Sequence, residues 1–304
     1  MAVQTSTQLE TKATLGSAID DREHLKKSRS FYGRAWGSFR RDKVAMIAMA
    51  ISVILIVFSF GAPIVSWMTG HDYATGDLRN QLLAPFKNWS YPLGTDANGR
   101  DILTRLAYGG RVSMMVAFLS LIFTFVIGGA VGSIAGFFGG AIDNILMRFV
   151  DVVISIPSIT LLLLISVWWR PGPVGLAFVI ALYTYPLIYV FTKSALDLVS
   201  TELEDAASIH GAGKLRTLTR VTLPLVLPSI VGAAILIFLE SVALYGTPAL
   251  IAIPAGLNLA TTQIVSFFEY PLKVEQAAAF SMPILALTVV MLYLQRRLLA
   301  RKGF

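Results

Sequence analysis

The residues that could carry chemistry in this chain are few, and their spacing says which chemistry is open to them. Three carboxylates, Glu202, Glu204 and Asp205, crowd one short stretch and run straight into Ala206 and Ala207. Gly211 follows, then Lys214, Arg216 and Arg220, then Val221-Thr222-Leu223-Pro224. A carboxylate and a hydroxyl stand side by side at Glu240-Ser241 inside an apolar run. Gly211-Ala212-Gly213-Lys214-Leu215 fails at both ends as a phosphate-cradling Gly-x-x-x-x-Gly-Lys-[Ser/Thr] loop, so the chain is not expected to hydrolyse ATP alone. His24, His71 and His210 share no metal or triad spacing. Without Cys there is neither a disulfide nor a Cys-based metal site. The expectation is a chain that is not an enzyme and binds no cofactor or metal of its own.

The acidic stretch reads as mechanical. Thr201-x-x-Glu204 has the form of a capping box that opens a helix, and its carboxylates fall where the positive end of the helix dipole favours anions. Ala206 and Ala207 offer a smooth face for close packing by another protein. Gly211 can take the left-handed backbone that ends a helix, and Leu223-Pro224 lets a new one begin.

The elements that must position this stretch are membrane spans. The chain has 304 residues, 55% hydrophobic and 14% charged, whereas a soluble domain carries about 25% charged residues. Mean hydropathy is +0.69. Apolar runs close to the ~20 residues that cross a bilayer recur along the chain. This predicts an all-α polytopic membrane protein with spans at 44–67, 112–136, 145–169, 174–192, 227–248 and 274–294. The acidic stretch then lies in a polar insert, 193–226, between spans four and five.

Net charge of +7 raises the question of nucleic acid, and position answers it. Nine Lys/Arg lie in the tail 1–43, four in 193–226 and four in the tail 295–304. The segments on the other side hold seven: five in the long loop 68–111, plus Arg170 and Lys273. This is the positive-inside bias of membrane proteins, and it puts both termini and the insert in the cytoplasm.

Taken in order, the chain starts without an apolar h-region, so no cleavable signal peptide is expected, and residues 1–20 read as disordered. Residues 31–43 mix Phe31, Tyr32, Trp36 and Phe39 with Arg34, Arg40, Arg41 and Lys43; they are either an interfacial amphipathic helix against lipid or a plain basic flank. In the loop 68–111, turns at Gly94 and Asn98-Gly99 run into a helix that Asp96 and Asp101 can cap. The same carboxylates can pair with Arg100 and Arg105, or meet a partner outside. Gly128, Gly129, Gly132 and Gly136 suit close helix packing in span two. Arg148 and Asp151 can pair on one helix face, Pro157 predicts a kink in span three, and Trp168 and Trp169 mark the outer interface. Glu240 falls near the middle of span five, where a carboxylate costs ~2.5–3.5 kcal/mol on insertion scales. Glu240 and Ser241 are either part of a substrate path or gate, or a helix-packing pair. Residues 249–274 read as a short re-entrant or surface helix, with Pro271 ahead of span six.

The pattern acidic-Ala-Ala, three residues, Gly, nine residues, aliphatic, one residue, Leu-Pro is met here by Asp205, Ala206, Ala207, Gly211, Val221, Leu223 and Pro224. It resembles the coupling-loop signature of permease subunits of binding-protein-dependent ATP-binding-cassette importers, which more often have Glu first and Ile at the aliphatic place. The run Leu93-Gly94-Thr95-Asp96-Ala97-Asn98-Gly99-Arg100-Asp101, with Arg105-Leu106-Ala107-Tyr108-Gly109-Gly110-Arg111 after it, resembles the dipeptide/oligopeptide/nickel branch. Leu244-Tyr245-Gly246-Thr247-Pro248-Ala249-Leu250 and Ile253-Pro254-Ala255-Gly256-Leu257-Asn258 look more like permeases for ferric iron or polyamines.

The resemblance implies the type I ABC importer permease architecture in a bacterial or archaeal inner membrane. It implies a pore of two permeases, alike or different, and an extracytoplasmic binding protein that delivers substrate. Two ATP-binding cassette subunits would dock on the coupling loops and use the ATP. Glu202 and Glu204 with the signature residues would form the docked lever, and Gly211 the bend behind it. Peptide or nickel cargo comes first, ferric iron or polyamine second. A gradient-driven secondary transporter is the alternative from another class; such folds often carry inverted repeats with paired broken spans, which the sequence does not display. A membrane sensor or scaffold would need the loop to dock some other partner.

Overall fold

The computed structural model describes residue 40, residues 42–269 and residues 272–300. The segment 1–20, most of the stretch 31–43, Pro271 and the end of the tail, 301–304, lie outside the described residues. The chain divides into two compact units, residues 1–47 and 48–304. All the elements below belong to the second, save the first residues of α1.

Helix is the only regular element among the described residues, beside two isolated bridges, Asn88 to Tyr91 and Thr95 to Asp101. Counting each sharply bent pair as one, there are six candidate spans among the described residues. α1 (Lys43–Phe60) and α2 (Ala62–Thr69) meet at a 69° bend. Pro63, in the first turn of α2, cannot continue the α1 hydrogen-bond ladder, so the expected single span 44–67 is broken. α3 (Ile102–Phe138) has 37 residues, which is about 55 Å at 1.5 Å per residue. It starts ten residues inside the segment read as loop, because Asp101 caps it there. The Asp101 carboxylate accepts from the Leu103 N–H at 3.0 Å and the Thr104 hydroxyl at 2.7 Å.

α4 (Gly140–Ser155) and α5 (Ser158–Trp168) form the third span, bent by 76° at Ile156-Pro157. The proline thus breaks the helix outright. Arg148 and Asp151 pair at 3.9 Å, both exposed. α6 (Pro173–Asp197) is the fourth span and runs on through Pro186. Then come α7 (Thr201–Ile209), α8 (Lys214–Thr217), a π turn (Leu218–Thr222) and α9 (Leu223–Ala243). α9 stops five residues short of the expected 248, because Leu244 is extended. A second π turn, Pro248–Ala252, and α10 (Ala260–Ser266) fill the outer segment, and the first four residues of α10 are buried. α11 (Val274–Ala300) is the sixth span; Gln295, read as the start of the tail, is still packed in it and donates to the Gly232 carbonyl of α9 at 3.1 Å.

The bundle is assembled on a seam between α3 and α6. Gly128, Gly132 and Gly136 recur every fourth residue and so share one face of α3. A methyl group on Gly128 would stand 2.5 Å from the Tyr185 carbonyl oxygen; on Gly132, 3.0 Å from Thr192; on Gly136, 2.8 Å from Leu196. Thr124 and Thr184 hydroxyls meet across the same seam at 3.0 Å. Gly129, also expected at a packing face, points into open space. α9 lays Ala233 and Ile237 against Ile188 of α6. The Ser120 hydroxyl of α3 donates to Ser241 of α9 at 3.2 Å.

The loop between α2 and α3 is folded, with few degrees of freedom left. Gly94 and Gly99 adopt φ +80° and +70°, and a methyl on either would lie 2.1 Å or less from a backbone oxygen. Asp96, 5% exposed, accepts from the backbone N–H groups of Asn98 and Arg100, each at 2.9 Å, and from the Arg100 and Arg105 side chains. Arg105 also donates to Gln263 of α10, and Gln276 of α11 donates to the Thr95 carbonyl at 2.7 Å. So both Asp96 and Asp101 act structurally, one by pairing and one by capping.

This packing sets expected outcomes for four variants, all read by thermal unfolding of the detergent-purified chain. Gly128→Ala overpacks a backbone contact and should cost about 1–3 kcal/mol. Gly129→Ala should unfold no lower than wild type, since it gains helix propensity in open space. Asp96→Ala strands the buried Arg105 guanidinium and should cost about 3–5 kcal/mol. Arg148→Ala, at an exposed pair, should cost under about 1 kcal/mol.

Candidate functional site

α7 begins one residue earlier than its capping-box reading. Ser200 has extended backbone and accepts from the Glu202 N–H at 3.3 Å, so it is the cap and Thr201 the first helical residue. Glu204 is thereby moved beyond the position that reaches back to the cap. Its carboxylate turns the other way and accepts from the Thr222 hydroxyl at 3.0 Å. The helix ends where Gly211 was expected to end it. Gly211, at φ +76°, donates to the Ser208 carbonyl at 2.9 Å, and Ala212 donates to Ala207 at 3.0 Å. This is the paired closure of a Schellman motif. A side chain at Gly211 would have room, so the constraint there is the backbone angle alone.

The π turn Leu218–Thr222 carries the chain from α8 into α9 without a break. Its wide loop places the Leu223 N–H on the Leu218 carbonyl, just ahead of Pro224, which has no N–H to give. Leu223 therefore continues a helix instead of opening one. Leu223 packs with Leu196, Val226 and Ile230, which joins the base of α9 to the end of α6. Glu202, Asp205, Ala206 and Pro224 are exposed, and Ala207 and Val221 half-buried. Leu203, Ile209 and Leu215 are also exposed apolar side chains, the last two at 84% and 70%. The arrangement is a short helix, capped at both ends, whose exposed surface mixes acidic residues with the apolar Leu203 and Ile209. It is tied to α9 through Glu204 and Thr222.

Glu240 and Ser241 are separated by the helix face. Ser241 is buried against Ser120 of α3, while Glu240 is exposed. Because α9 ends at Ala243, Glu240 sits in its last turn and not at mid-span. In the neighbouring α6, the Tyr183 hydroxyl lies 3.0 Å from that of the buried Thr247. Among the described residues no three His, Asp or Glu side chains converge as a metal site.

At the other end of α3 lies a polar cleft of about 370 Å³. Asp96, Asn98, Arg100, Arg105, Gln263 and Gln276 are among its lining residues. The sequence reading gave the loop half structural roles and placed Gln263 in the outer segment, but it assigned no role to Gln263 or Gln276. Their signal was an amide in an apolar segment, which requires a partner when buried. Thr222 was likewise missed, since its contact with Glu204 spans a turn whose shape the sequence does not display.

Comparison with known proteins bears on the whole chain. A family profile described as "Binding-protein-dependent transport system inner membrane component" matches residues 128–303, and one described as "N-terminal TM domain of oligopeptide transport permease C" matches residues 30–85. The dipeptide transport system permease protein DppC of Haemophilus influenzae is 29% identical over 62% of this chain and 65% of its own length. The oligopeptide transport system permease protein OppC of Bacillus subtilis is 36% identical over 50% of this chain and 48% of its own. The matched part thus spans less than two thirds of either relative. Among solved structures, a chain of the MetNI methionine ABC transporter in an inward-facing conformation superposes with TM-score 0.55 at 22% identity, over 66% of this chain and 96% of that one. The fold is therefore the type I ABC permease fold, in a multi-pass membrane chain. With more than half of its residues under the first profile, the chain belongs to the family of binding-protein-dependent transport system inner membrane components.

Proposed function

We propose that this chain is one permease subunit of an ATP-driven importer and that its cargo is peptides. One observation carries the reading: a capped, exposed nine-residue helix, α7, stands between the fourth and fifth spans of a chain of this family. Peptide cargo is supported by the relatives, which are named for dipeptide and oligopeptide transport, and by the N-terminal profile. The ferric iron or polyamine likeness of the second half rests on sequence text alone. In this reading α7 and both termini face the cytoplasm, and partner ATP-binding subunits dock on α7 and hydrolyse the ATP. A second permease, alike or different, completes the pore, and an extracytoplasmic binding protein delivers the substrate.

The geometry supports a lever. When the docked subunits close, α7 moves as a rod, since its cap and its Schellman closure hold both ends. The Glu204 to Thr222 bond passes the displacement to the base of α9. α9 is packed on both α3 and α6, so the spans rock together. Glu240, on the exposed face of α9, stands where a second permease would close the path; Ser241 serves packing.

Purification of the chain from native membranes in mild detergent, followed by mass spectrometry, should recover an ATP-binding subunit and a second permease. Recovery of the chain alone after crosslinking, with uptake that survives ATP depletion and collapses with the ion gradient, would favour a secondary transporter instead. Gly211→Pro forbids φ +76°, and Ala207→Glu puts a charge on the packing face. Both variants should insert and assemble, with ATP hydrolysis retained and peptide uptake down by about tenfold or more. Wild-type uptake in both would sink the lever.

A further inference from the structure

The cleft at the far end of α3 is built for a ligand that α7 and Glu240 do not contact. Gly136, near one end of α3, packs against Leu196 just ahead of α7, whereas Arg105 lies 31 positions earlier, about 46 Å along the same helix. The cleft therefore stands at the opposite end of the bundle from the lever, outside the membrane in the reading above. Its floor is fixed by contacts within the fold, since Arg105 is held by Asp96 and Gln263, and Gln263 in turn donates to Ser266 at 2.8 Å.

Four groups on its lining are not consumed by the fold. Arg100 uses only Nε on Asp96, and its two terminal nitrogens have no protein partner among the described residues. Lys273 and Glu269 both line the cleft, and neither has an ion pair among the described residues. Gln276 is 2% exposed, with its amide nitrogen committed to the carbonyls of Thr95 and Leu83. That commitment fixes which way the amide faces. It leaves Oε1 as a buried acceptor without a donor. Such an atom is destabilising until a donor reaches it. An anion alone would leave this acceptor and Glu269 unmet, and a cation alone would leave Arg100 and Lys273 unmet. A molecule with a carboxylate at one end and an ammonium at the other meets all four. A cleft of about 370 Å³ is within the ~300–1,000 Å³ range of small-molecule sites.

We infer that this cleft binds the two charged termini of a short peptide, the carboxylate at Arg100 and Lys273 and the ammonium at Glu269 and Gln276. The inference rests on the peptide reading of the transporter and adds a holding site on the permease itself, ahead of the pore. The test uses the full chain in lipid nanodiscs without its partners, titrated calorimetrically with trialanine, N-acetyl-trialanine and trialanine amide. Trialanine should bind, and blocking either terminus should weaken it by about tenfold or more. Glu269→Gln should abolish discrimination against the acetylated probe, and Lys273→Ala discrimination against the amide. Neither substitution removes a protein contact of that side chain, so thermal midpoints should not move. No binding of trialanine, or binding indifferent to the blocked termini, would overturn the site. Trialanine uptake by the assembled transporter is measured in parallel. Uptake without nanodisc binding sinks the cleft and spares the importer reading; binding without any ATP-dependent uptake spares the cleft and sinks the importer.

Discussion

Two helices that approach until backbone meets side chain fix the frame of this protein. In lipid there is no hydrophobic gain from bringing apolar spans together, so their association depends on close van der Waals contact and on hydrogen bonds between helices. Gly128, Gly132 and Gly136 supply the contact along α3, and Tyr185, Thr192 and Leu196 of α6 fill the space. The Thr124 and Thr184 hydroxyls add a polar tie that would be costly to leave open. The other elements take their places from this pair. α9 reaches α3 through Ser241 and α6 through Ile237, α10 reaches α3 through Ala260, whose N–H meets the Ser113 hydroxyl at 2.9 Å, and α11 closes on α9 through Gln295.

Much of this was legible because the physics is local. A glycine every fourth residue marks one face of a helix, and Pro157 cannot be carried inside a ladder. The acidic start, Gly211 and Leu223-Pro224 each have a meaning that depends on a few neighbours. What escaped the sequence depended on choices between equivalent neighbours or on distant contacts. Ser200 and Thr201 are both good caps, and the extended backbone at Ser200 decided between them, which sent Glu204 to Thr222. The expected span ran on to Pro248, blind to the extended backbone of Leu244, so Glu240 was read nearer the middle of its helix than it lies. Gly129 beside Gly128 looks equivalent in a string of letters and is not, because one helical step turns it by 100° off the seam.

The outer cleft was illegible for a different reason. Its walls come from residues 96–105 and from residues 245–276, more than a hundred positions apart, and each half looks structural when read alone. Asp96 and Arg105 pair off their charges, and the fold accounts for them. Only when Gln276 is seen with its nitrogen committed and its oxygen left over does the cleft ask for something further.

The tightness of the seam also bears on where motion can occur. A contact at which a single methyl group would collide has no room to slide, so α3 and α6 move as one body, as interfaces packed to interior density do. In the lever reading, displacement entering at Thr222 would be taken up where helices are already interrupted. Those places are the 69° bend at Gly61, the 76° break at Ile156-Pro157 and the 59° bend that divides Lys214–Leu227 from Ser229–Ala243. Breaks of this kind absorb backbone rotation at a few residues while the helices on either side stay rigid. In the lever reading proposed above, the interruptions that hide three of the six candidate spans from a plain length criterion would serve as its hinges.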